Sequence, residues 1–275
     1  MLVSEETKPP VVAATYHLQL RLRLLQQWRM LQALAESDFS FSVPTAQREN
    51  VAYLRKFFGV RLSFADGRDI AGHLLQLDTI EPWCALAGLR RTLIYPHQVL
   101  RHCRARWKAD RRIRFGFAGF AHHSRHEVLD AWHRRCFGRP LVPTTVRSSD
   151  EIAGYLEHEL STTVSVVYSK AGRSFPGKVW DDAYYDYLLN CTMTLCPDGE
   201  EVWTYRFFEA MLCGSIPVVQ SDCAVYQGFR YGFLDDDPAR IDCSADTVAH
   251  NIRLCRERLT IPLPELNDAI AYHLR

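Results

Sequence analysis

Two residues one helical turn apart have side chains of the types that can bind a nucleoside diphosphate. Arg206 and Glu209 lie three positions apart in a stretch without glycine or proline, so a helix would place them on one face. A guanidinium group suits phosphate, and a carboxylate suits the hydroxyl groups of a ribose. The same spacing also fits a simple intrahelical ion pair, and spacing alone leaves both interpretations open.

A second candidate lies around two glycines. Gly116 and Gly119 fall in the apolar run 114–120, which predicts a buried strand, and Ser124 begins a Ser-x-x-Glu capping box that predicts a helix start. The free N–H groups of such a helix start favour an anion, and Arg125 adds positive charge there. The glycines could equally serve sheet packing, so this signal is the weaker of the two.

The elements that must position these residues alternate along the C-terminal part of the chain. Strands are predicted at 114–120, 143–146, 162–168, 192–196 and 216–219. Helices are predicted from Ser124 onward and at 148–160, 180–189, 201–213, 244–259 and 264–274, with Gly214 ending the fourth. This alternation predicts right-handed βαβ units and a parallel sheet, in which ligands bind at the carboxyl ends of the strands.

The N-terminal part is less regular. A helix is predicted at 16–35, and an alternating strand at 60–64 that runs into a turn. The strongly basic run 101–112 is typical of a solvated helix face or a linker. We therefore predict two domains, 1–110 and 111–275, with the boundary near residue 109.

Composition narrows the function classes. The 275 residues contain 33 Lys+Arg and 32 Asp+Glu, and this balance disfavours a protein that binds nucleic acid through a large basic field. No apolar run approaches the roughly 18 to 20 residues of a membrane span, so no transmembrane segment is expected. The first residues are acidic, unlike a secretory signal, and the nine cysteines form no Cys-x-x-Cys pair. We expect a cytoplasmic protein with reduced thiols.

A family resemblance lies in the segment that contains Arg206 and Glu209. The predicted strand 192–196 runs into CPDG at 196–199, and the following helix and strand read YRFFEAMLCGSIPVV at 205–219. Together these motifs resemble the signature of exostosin-like glycosyltransferases. In that family the C-terminal half of a GT-B fold holds a nucleotide-sugar donor.

The resemblance implies an α/β, GT-B-like fold with two Rossmann-like domains with parallel sheets, the N-terminal one short. It also implies transfer of a sugar from a nucleotide-sugar donor to a hydroxyl of a glycan acceptor, as in the synthesis of a growing polysaccharide. No cofactor other than the donor substrate is expected. The implied donor-binding residues are Gly116, Gly119, His122, Arg125, Cys196, Pro197, Gly199, Tyr205, Arg206 and Glu209.

For catalysis, Arg206 would stabilise the leaving diphosphate. The general base should come from the N-terminal domain, where the acceptor would bind. The available residues there are Asp66, Asp69, His73 and His97, and of these we select Asp66 and His97.

Two rival functions stay open. One is a nucleotide-binding α/β protein without catalysis, and the other is a metal-dependent GT-A transferase. The Asp-x-Asp within 235–237 fits the second, although Pro238 behind it is typical of a turn. His97, His102, Cys103, His122, His123 and His126 invite a zinc interpretation but lack the spacing of a closed zinc site. We therefore expect no metal. The aromatic residues at 180–187 are a separate feature, and their spacing is typical of core packing.

Overall fold

The computed structural model describes residues 15–17, 25–66, 77–80, 83–120, 123–141, 145–147, 155–157, 163–169 and 175–272. The strands before residue 110 are β1 (Thr15–His17), β2 (Ser40–Val43), β3 (Ser63–Phe64), β4 (Leu77–Ile80), β5 (Trp83–Leu86) and β6 (Leu89–Arg91). The helices are α1 (Leu25–Leu34), α2 (Arg48–Arg55) and α3 (His97–Ala105), with a 3₁₀ turn at Thr45–Gln47. β1, β2 and β3 form a parallel sheet, whereas β4, β5 and β6 form an antiparallel one.

The remaining elements form the larger α/β unit. Its strands are β7 (Ile113–Phe120), β8 (Thr145–Arg147), β9 (Tyr155–Glu157), β10 (Val164–Ser169), β11 (Cys191–Cys196), β12 (Ile216–Val219) and β13 (Gly232–Phe233). Its helices are α4 (His123–Phe137), α5 (Asp182–Leu189), α6 (Tyr205–Leu212), α7 (Ala245–Leu259) and α8 (Leu263–Tyr272), with a 3₁₀ turn at Ala224–Tyr226.

The central sheet has five parallel strands in the order β10-β7-β11-β12-β13. The chain runs from β7 outward to β10 on one side and then returns past β7 to β11 on the other. The strand order therefore reverses between β7 and β11, and a crevice at the carboxyl ends of such neighbours is where open α/β sheets bind ligands.

Helices cover both faces of this sheet. On one face Phe117 belongs to the same hydrophobic cluster as Leu129 and Trp132 of α4. On the other face Ala118 belongs to a second cluster with Phe207 of α6. Since both faces are buried, the strands read as nearly continuous apolar runs, as the sequence predicted.

The strands predicted at 114–120, 162–168, 192–196 and 216–219 are confirmed. The helix predicted at 201–213 begins later, at Tyr205, because Thr204 is its N-cap and accepts the N–H of Phe207 at 3.3 Å. Residues 197–203 form a loop instead. Gly214 has a φ of +70°, so the predicted glycine at the helix end is confirmed.

Two predicted helices are wrong in part. Within 148–160, residues 155–157 form β9, which pairs antiparallel with β8, so a strand partner outweighs the local capping signal. The rest of that range lies outside the described residues. Within 16–35, residues 25–34 are helical, whereas Tyr16 and His17 belong to a strand that pairs with β2. Residues 18–24 lie outside the described residues.

Two arginines of the basic run 101–112 bind the predicted C-terminal domain, Arg106 from the N-terminal side of the predicted boundary and Arg111 from just beyond it. Arg106 forms ion pairs with Asp182 at 2.7 Å and Asp186 at 2.5 Å. Arg111 donates to the carbonyl oxygens of Cys191 at 2.7 Å and Cys213 at 2.8 Å. The linker interpretation is therefore wrong for these two residues, although the exposed arginines of α3 fit the solvated-face interpretation.

One hydrophobic cluster contains residues from both sides of residue 110. The two-domain division stays a prediction. All nine cysteines are free thiols and six of them are buried, as expected for small core residues. In the part of the chain that the structure describes, no helix has the length and apolar character needed to cross a membrane.

Candidate active site

Arg206 lies in the first turn of α6 and is only 9% exposed. Its Nε donates to the carbonyl oxygen of Ala118 at 3.1 Å, and its Cζ lies 4.3 Å from the ring centroid of Phe117. Within the described residues, its Nη1 is buried and has no hydrogen-bond partner. An unsatisfied buried guanidinium N–H is costly, and an anionic ligand would satisfy it.

Arg125 reaches the same place from the opposite face of the sheet. It lies in the first turn of α4, and its Nε donates to the carbonyl oxygen of Asp198 at 3.0 Å. Its Nη1 donates to the carbonyl oxygen of Phe120 at 3.3 Å. Burial lowers the pKa of Arg125, and the positive charge of Arg206 lowers it further, so the two charges are close enough to repel each other.

The register of the sheet explains why these carbonyl groups accept from arginines. β10 pairs with β7 as far as Phe120, but the register of β11 against β7 ends at Gly116. Ala118 and Phe120 lie beyond that last pair, at the edge where the strand order reverses. The two guanidinium groups therefore line the crevice between the ends of β7 and β11.

The loop that follows β11 closes one side of the crevice. The backbone N–H of Asp198 donates to Oε1 of Gln220 at 3.1 Å, and its Oδ2 accepts from Ser221 at 2.6 Å. These bonds tie the loop to the segment after β12. The N–H of Gly199 donates to the carbonyl oxygen of Glu201 at 2.9 Å, which gives the loop a tight turn. The carbonyl oxygen that holds Arg125 is thus itself held in place.

Gly116 and Gly119 serve different purposes. A Cβ on Gly116 would collide with Sγ of Cys191 and come within 3.2 Å of the Tyr187 hydroxyl, so this glycine permits helix-to-sheet packing. A Cβ on Gly119 would fall on Nη2 of Arg206. The packing alternative therefore describes Gly116, whereas Gly119 borders the crevice.

Glu209 is 1% exposed and is held by two tyrosines. Its Oε2 accepts from Tyr184 at 2.9 Å and its Oε1 from Tyr185 at 3.2 Å. The Tyr185 hydroxyl in turn accepts from Nη2 of the buried Arg29 at 3.0 Å. Burial raises the pKa of Tyr185 well above its usual value, so the hydroxyl stays protonated and donates.

The proposed ion pair between Arg206 and Glu209 is absent from the described residues, where each side chain has the other partners given above. The ribose contact of Glu209 stays a prediction. A carboxylate oxygen with one tyrosine donor retains a second lone pair, so the bonds to the tyrosines do not use all of its acceptor capacity.

The other predicted donor-side residues lie around the same loop. Cys196 is buried, and burial raises the pKa of its thiol to about 12, which makes it an unreactive core residue. Pro197 is buried beside it, and the half-buried Tyr205 packs its ring against Trp203 at a centroid distance of 5.1 Å. His122 lies outside the described residues.

The two residues selected as general base are held elsewhere. Oδ1 of Asp66 accepts the N–H of Thr45 at 2.8 Å, and Nε2 of His97 donates to the carbonyl oxygen of Ile261 at 2.8 Å. None of these hydrogen bonds joins either residue to Arg206. Their catalytic role stays a prediction, and the alternatives Asp69 and His73 lie outside the described residues.

Several of the described residues considered for metal binding have structural partners. Among the described residues, no three His, Cys, Asp or Glu side chains come together to hold a metal ion. Asp236 accepts the N–H of Phe233 at 2.7 Å and Asp237 accepts that of Ala239 at 3.0 Å, which confirms the turn interpretation. The ring of His102 packs against Trp180 at 5.2 Å.

Sequence reasoning missed two features of the site. Arg29 gave no signal beyond being a basic residue in an apolar helix, yet it is 1% exposed and linked to Glu209 through Tyr185. The carbonyl groups that accept from the two arginines belong to the backbone, so no residue type in the sequence indicates them.

A parallel sheet with helices on both faces and two arginines at the reversal of strand order defines a Rossmann-type α/β architecture with a crevice suited to phosphate. Residues 90–225, just under half of the chain, match the family model of the Exostosin GT47 domain. This match supports an exostosin-like glycosyltransferase family, whose fold is GT-B, and the resemblance noted in the sequence is confirmed. No curated protein and no solved structure gives a significant match to the chain.

Proposed function

We propose that this protein transfers a sugar from a nucleotide-sugar donor to a hydroxyl group of a glycan acceptor. The match of residues 90–225 to a glycosyltransferase family model supports the reaction class. The observation that carries the donor site is the pair Arg125 and Arg206 in the crevice between β7 and β11, where the buried Nη1 of Arg206 has no hydrogen-bond partner among the described residues. The diphosphate of the donor is the ligand that this arrangement suits best.

Each arginine has its own task in this proposal. Nη1 of Arg206 donates to a phosphate oxygen, which satisfies the atom that has no partner within the described residues. Arg125 adds a second charge from the other face of the sheet. Arg206 lies in the first turn of α6, where the helix dipole adds a partial positive charge.

During the reaction the negative charge that these positive groups must stabilise increases. As the bond from the sugar carbon to the diphosphate oxygen breaks, its electron pair moves to the oxygen and negative charge grows there. Interactions that strengthen with that charge lower the barrier, because they are stronger in the transition state than in the ground state. The acceptor oxygen bonds to the sugar carbon and its proton goes to a general base, for which Asp66 and His97 are the predicted candidates.

The proposal includes transfer without a divalent metal. Two guanidinium groups supply the positive charge that a bound cation supplies in a metal-dependent transferase. This part of the proposal rests on the arginine pair alone and is tested separately below.

The test begins with a thermal-shift screen of the full chain against UDP, GDP, CMP, ADP and dTDP, with EDTA present. A ligand at about 100 times its dissociation constant should add about 2.7 kcal/mol to the free energy of unfolding. The nucleotide that gives the largest shift then identifies the sugar donors to be assayed. If none of the five shifts the unfolding temperature, the donor-site proposal is wrong.

Donor hydrolysis then separates an enzyme from a binding protein. We expect slow release of free sugar from the matching nucleotide sugar, since water can replace the acceptor. Binding without any release of sugar would favour the non-catalytic alternative.

A further inference from the structure

The two guanidinium groups of the crevice each lie against a glycine. Gly119 is next to the last residue of β7 and borders Arg206, and Gly199 lies in the loop after β11 and borders Arg125. Each glycine makes room for an arginine from the helix that follows the other strand. Gly119 of β7 leaves space for Arg206 of α6, and Gly199 after β11 leaves space for Arg125 of α4.

A side chain on Gly119 would have to displace Arg206. An added Cβ would overlap Nη2 of that arginine and lie 3.2 Å from its Cζ and 3.3 Å from the Phe117 ring. The guanidinium is held on its other sides by the Ala118 carbonyl oxygen and by the Phe117 ring. It can move away from a methyl group only by leaving those contacts.

Gly199 has the same relation to Arg125. An added Cβ would overlap Nη2 of Arg125, while the next atoms, Cζ of that arginine and the carbonyl oxygen of Glu201, lie at 3.5 and 3.7 Å. Only the guanidinium tip is in the way, because the loop itself has room for a methyl group.

Backbone conformation does not require glycine at either position. The positive φ angles of the described glycines belong to Gly88, Gly138, Gly214 and Gly228. Position 119 is also within a strand, where glycine is unfavourable and typically marks a close approach of another group. What these two positions require is the absence of a side chain.

We infer that Gly119 and Gly199 are positioning residues of the diphosphate site: because they have no side chain, Arg206 and Arg125 keep the positions in the crevice that their hydrogen bonds to the backbone define. This inference rests on the proposed function. A methyl group at either position removes no charge, but it moves one guanidinium group out of reach of the phosphate.

The experiment measures the affinity of the full chain for inorganic pyrophosphate by titration calorimetry. We expect Gly119→Ala and Gly199→Ala each to weaken binding about tenfold, the factor that follows from losing one charge-assisted hydrogen bond. Gly59→Ala is the matched control, because nothing lies within 4 Å of its added Cβ and its affinity should equal that of the wild type.

A double-mutant cycle separates positioning from a general structural effect. Lysine has no Nη2, so a methyl group at 199 has nothing to displace in an Arg125→Lys background. Gly199→Ala/Arg125→Lys should therefore bind pyrophosphate as tightly as Arg125→Lys alone, and Gly119→Ala/Arg206→Lys should match Arg206→Lys. Additive losses in both cycles would overturn the inference.

The possible results distinguish a failure of this inference from a failure of the proposed function on which it rests. If pyrophosphate binds the wild type and Arg206→Lys weakens it, but both alanine variants bind like the wild type, only the inference fails. If binding does not depend on Arg206 or Arg125, the proposed donor site fails first. Circular dichroism and the unfolding temperature without ligand check that the variants fold, and the loop variant Gly199→Ala keeps the test decisive if Gly119→Ala does not fold.

Discussion

The side chains of Arg206 and Arg125 donate to carbonyl oxygens two positions apart on one strand, although they come from helices on opposite faces of the sheet. Arg206 bonds to Ala118 at 3.1 Å and Arg125 bonds to Phe120 at 3.3 Å. Two like charges are thus fixed side by side by the backbone rather than by carboxylates. Such an arrangement costs free energy in the absence of an anion, and in the proposed function the diphosphate of the donor offsets that cost.

Replacing Arg206 should lower turnover more than donor affinity. Arg206→Gln removes a charge that meets the growing negative charge of the leaving diphosphate, and the loss of such a donor typically lowers kcat by about 10² to 10³. Arg206→Lys should recover only part of this, since an ammonium lacks the guanidinium fork.

Steady-state kinetics with the matching nucleotide sugar measure this effect. Arg104→Gln is the control, because Arg104 is an exposed arginine of α3. An increase in KM with an unchanged kcat would assign Arg206 to ground-state binding alone.

The buried charges of Arg29 and Glu209 should depend on each other for stability. Each is 1% exposed, and the Tyr185 hydroxyl links them. Arg29→Met leaves a buried carboxylate without its balancing charge, and breaking a buried pair in this way typically costs about 3 to 5 kcal/mol. Arg29→Met/Glu209→Gln removes both charges and should therefore cost less than the sum of the single changes.

Urea unfolding of the wild type, the two single variants and the double variant measures the coupling. Tyr185→Phe, which removes only the linking hydroxyl, should reduce the coupling. Strict additivity of the two single changes would show that the charges do not interact through this network.

The Cys196 thiol should make the protein less stable at high pH. Burial raises its pKa from the usual 9.0 to about 12, so the native state keeps a proton that the unfolded state loses. Unfolding then releases a proton, and the free energy of unfolding falls as the pH rises from about 9 toward 12, by up to about 1.4 kcal/mol per pH unit.

Urea unfolding between pH 8 and pH 10.5 compares the wild type with Cys196→Ala. The free energy of unfolding of the variant should fall less steeply with pH. The two slopes should differ by up to the value for one proton, about 1.4 kcal/mol per pH unit, because other titrating groups contribute equally to both proteins. Identical slopes would mean that the native thiol ionises normally. Rapid alkylation of Cys196 at pH 8 in the native state would lead to the same conclusion.

Transfer should not need a divalent cation. Activity should survive EDTA, because the arginine pair already supplies positive charge at the phosphates. Asp235→Asn/Asp237→Asn should also stay active, since these carboxylates lie in an exposed turn where Asp237 accepts a backbone N–H and faces Arg240 at 3.6 Å. Loss of activity in EDTA that Mn²⁺ restores in the wild type and not in this variant would favour the metal-dependent mechanism.

The sequence predicted the elements whose signals are local. The apolar run 114–120 and the stretch 192–196 identified β7 and β11, and Gly214 marked the end of α6. The start of α6 was predicted four residues early, because Glu201 is a good helix former and the cap at Thr204 becomes visible only through its bond to Phe207.

Features that depend on pairing between distant segments could not be predicted from the sequence. The antiparallel pairing of β8 with β9 supplies a partner strand for 155–157, which outweighs the capping box at Ser148. Residue types and spacing singled out both Arg206 and Arg125, but the backbone carbonyl groups that bring the two guanidinium groups together depend on how β11 pairs with β7. That register follows from the packing of both faces of the sheet.

The most direct test of the donor site is the affinity of the wild type, Arg206→Met and Arg104→Met for the best nucleotide of the screen. Isothermal titration calorimetry with EDTA present should give one bound nucleotide per wild-type chain. Arg206→Met should bind at least about tenfold more weakly, because a charge-assisted hydrogen bond to phosphate is lost, whereas Arg104→Met should match the wild type. Equal affinities of the wild type and Arg206→Met would contradict the assignment of the crevice between β7 and β11 as the donor site.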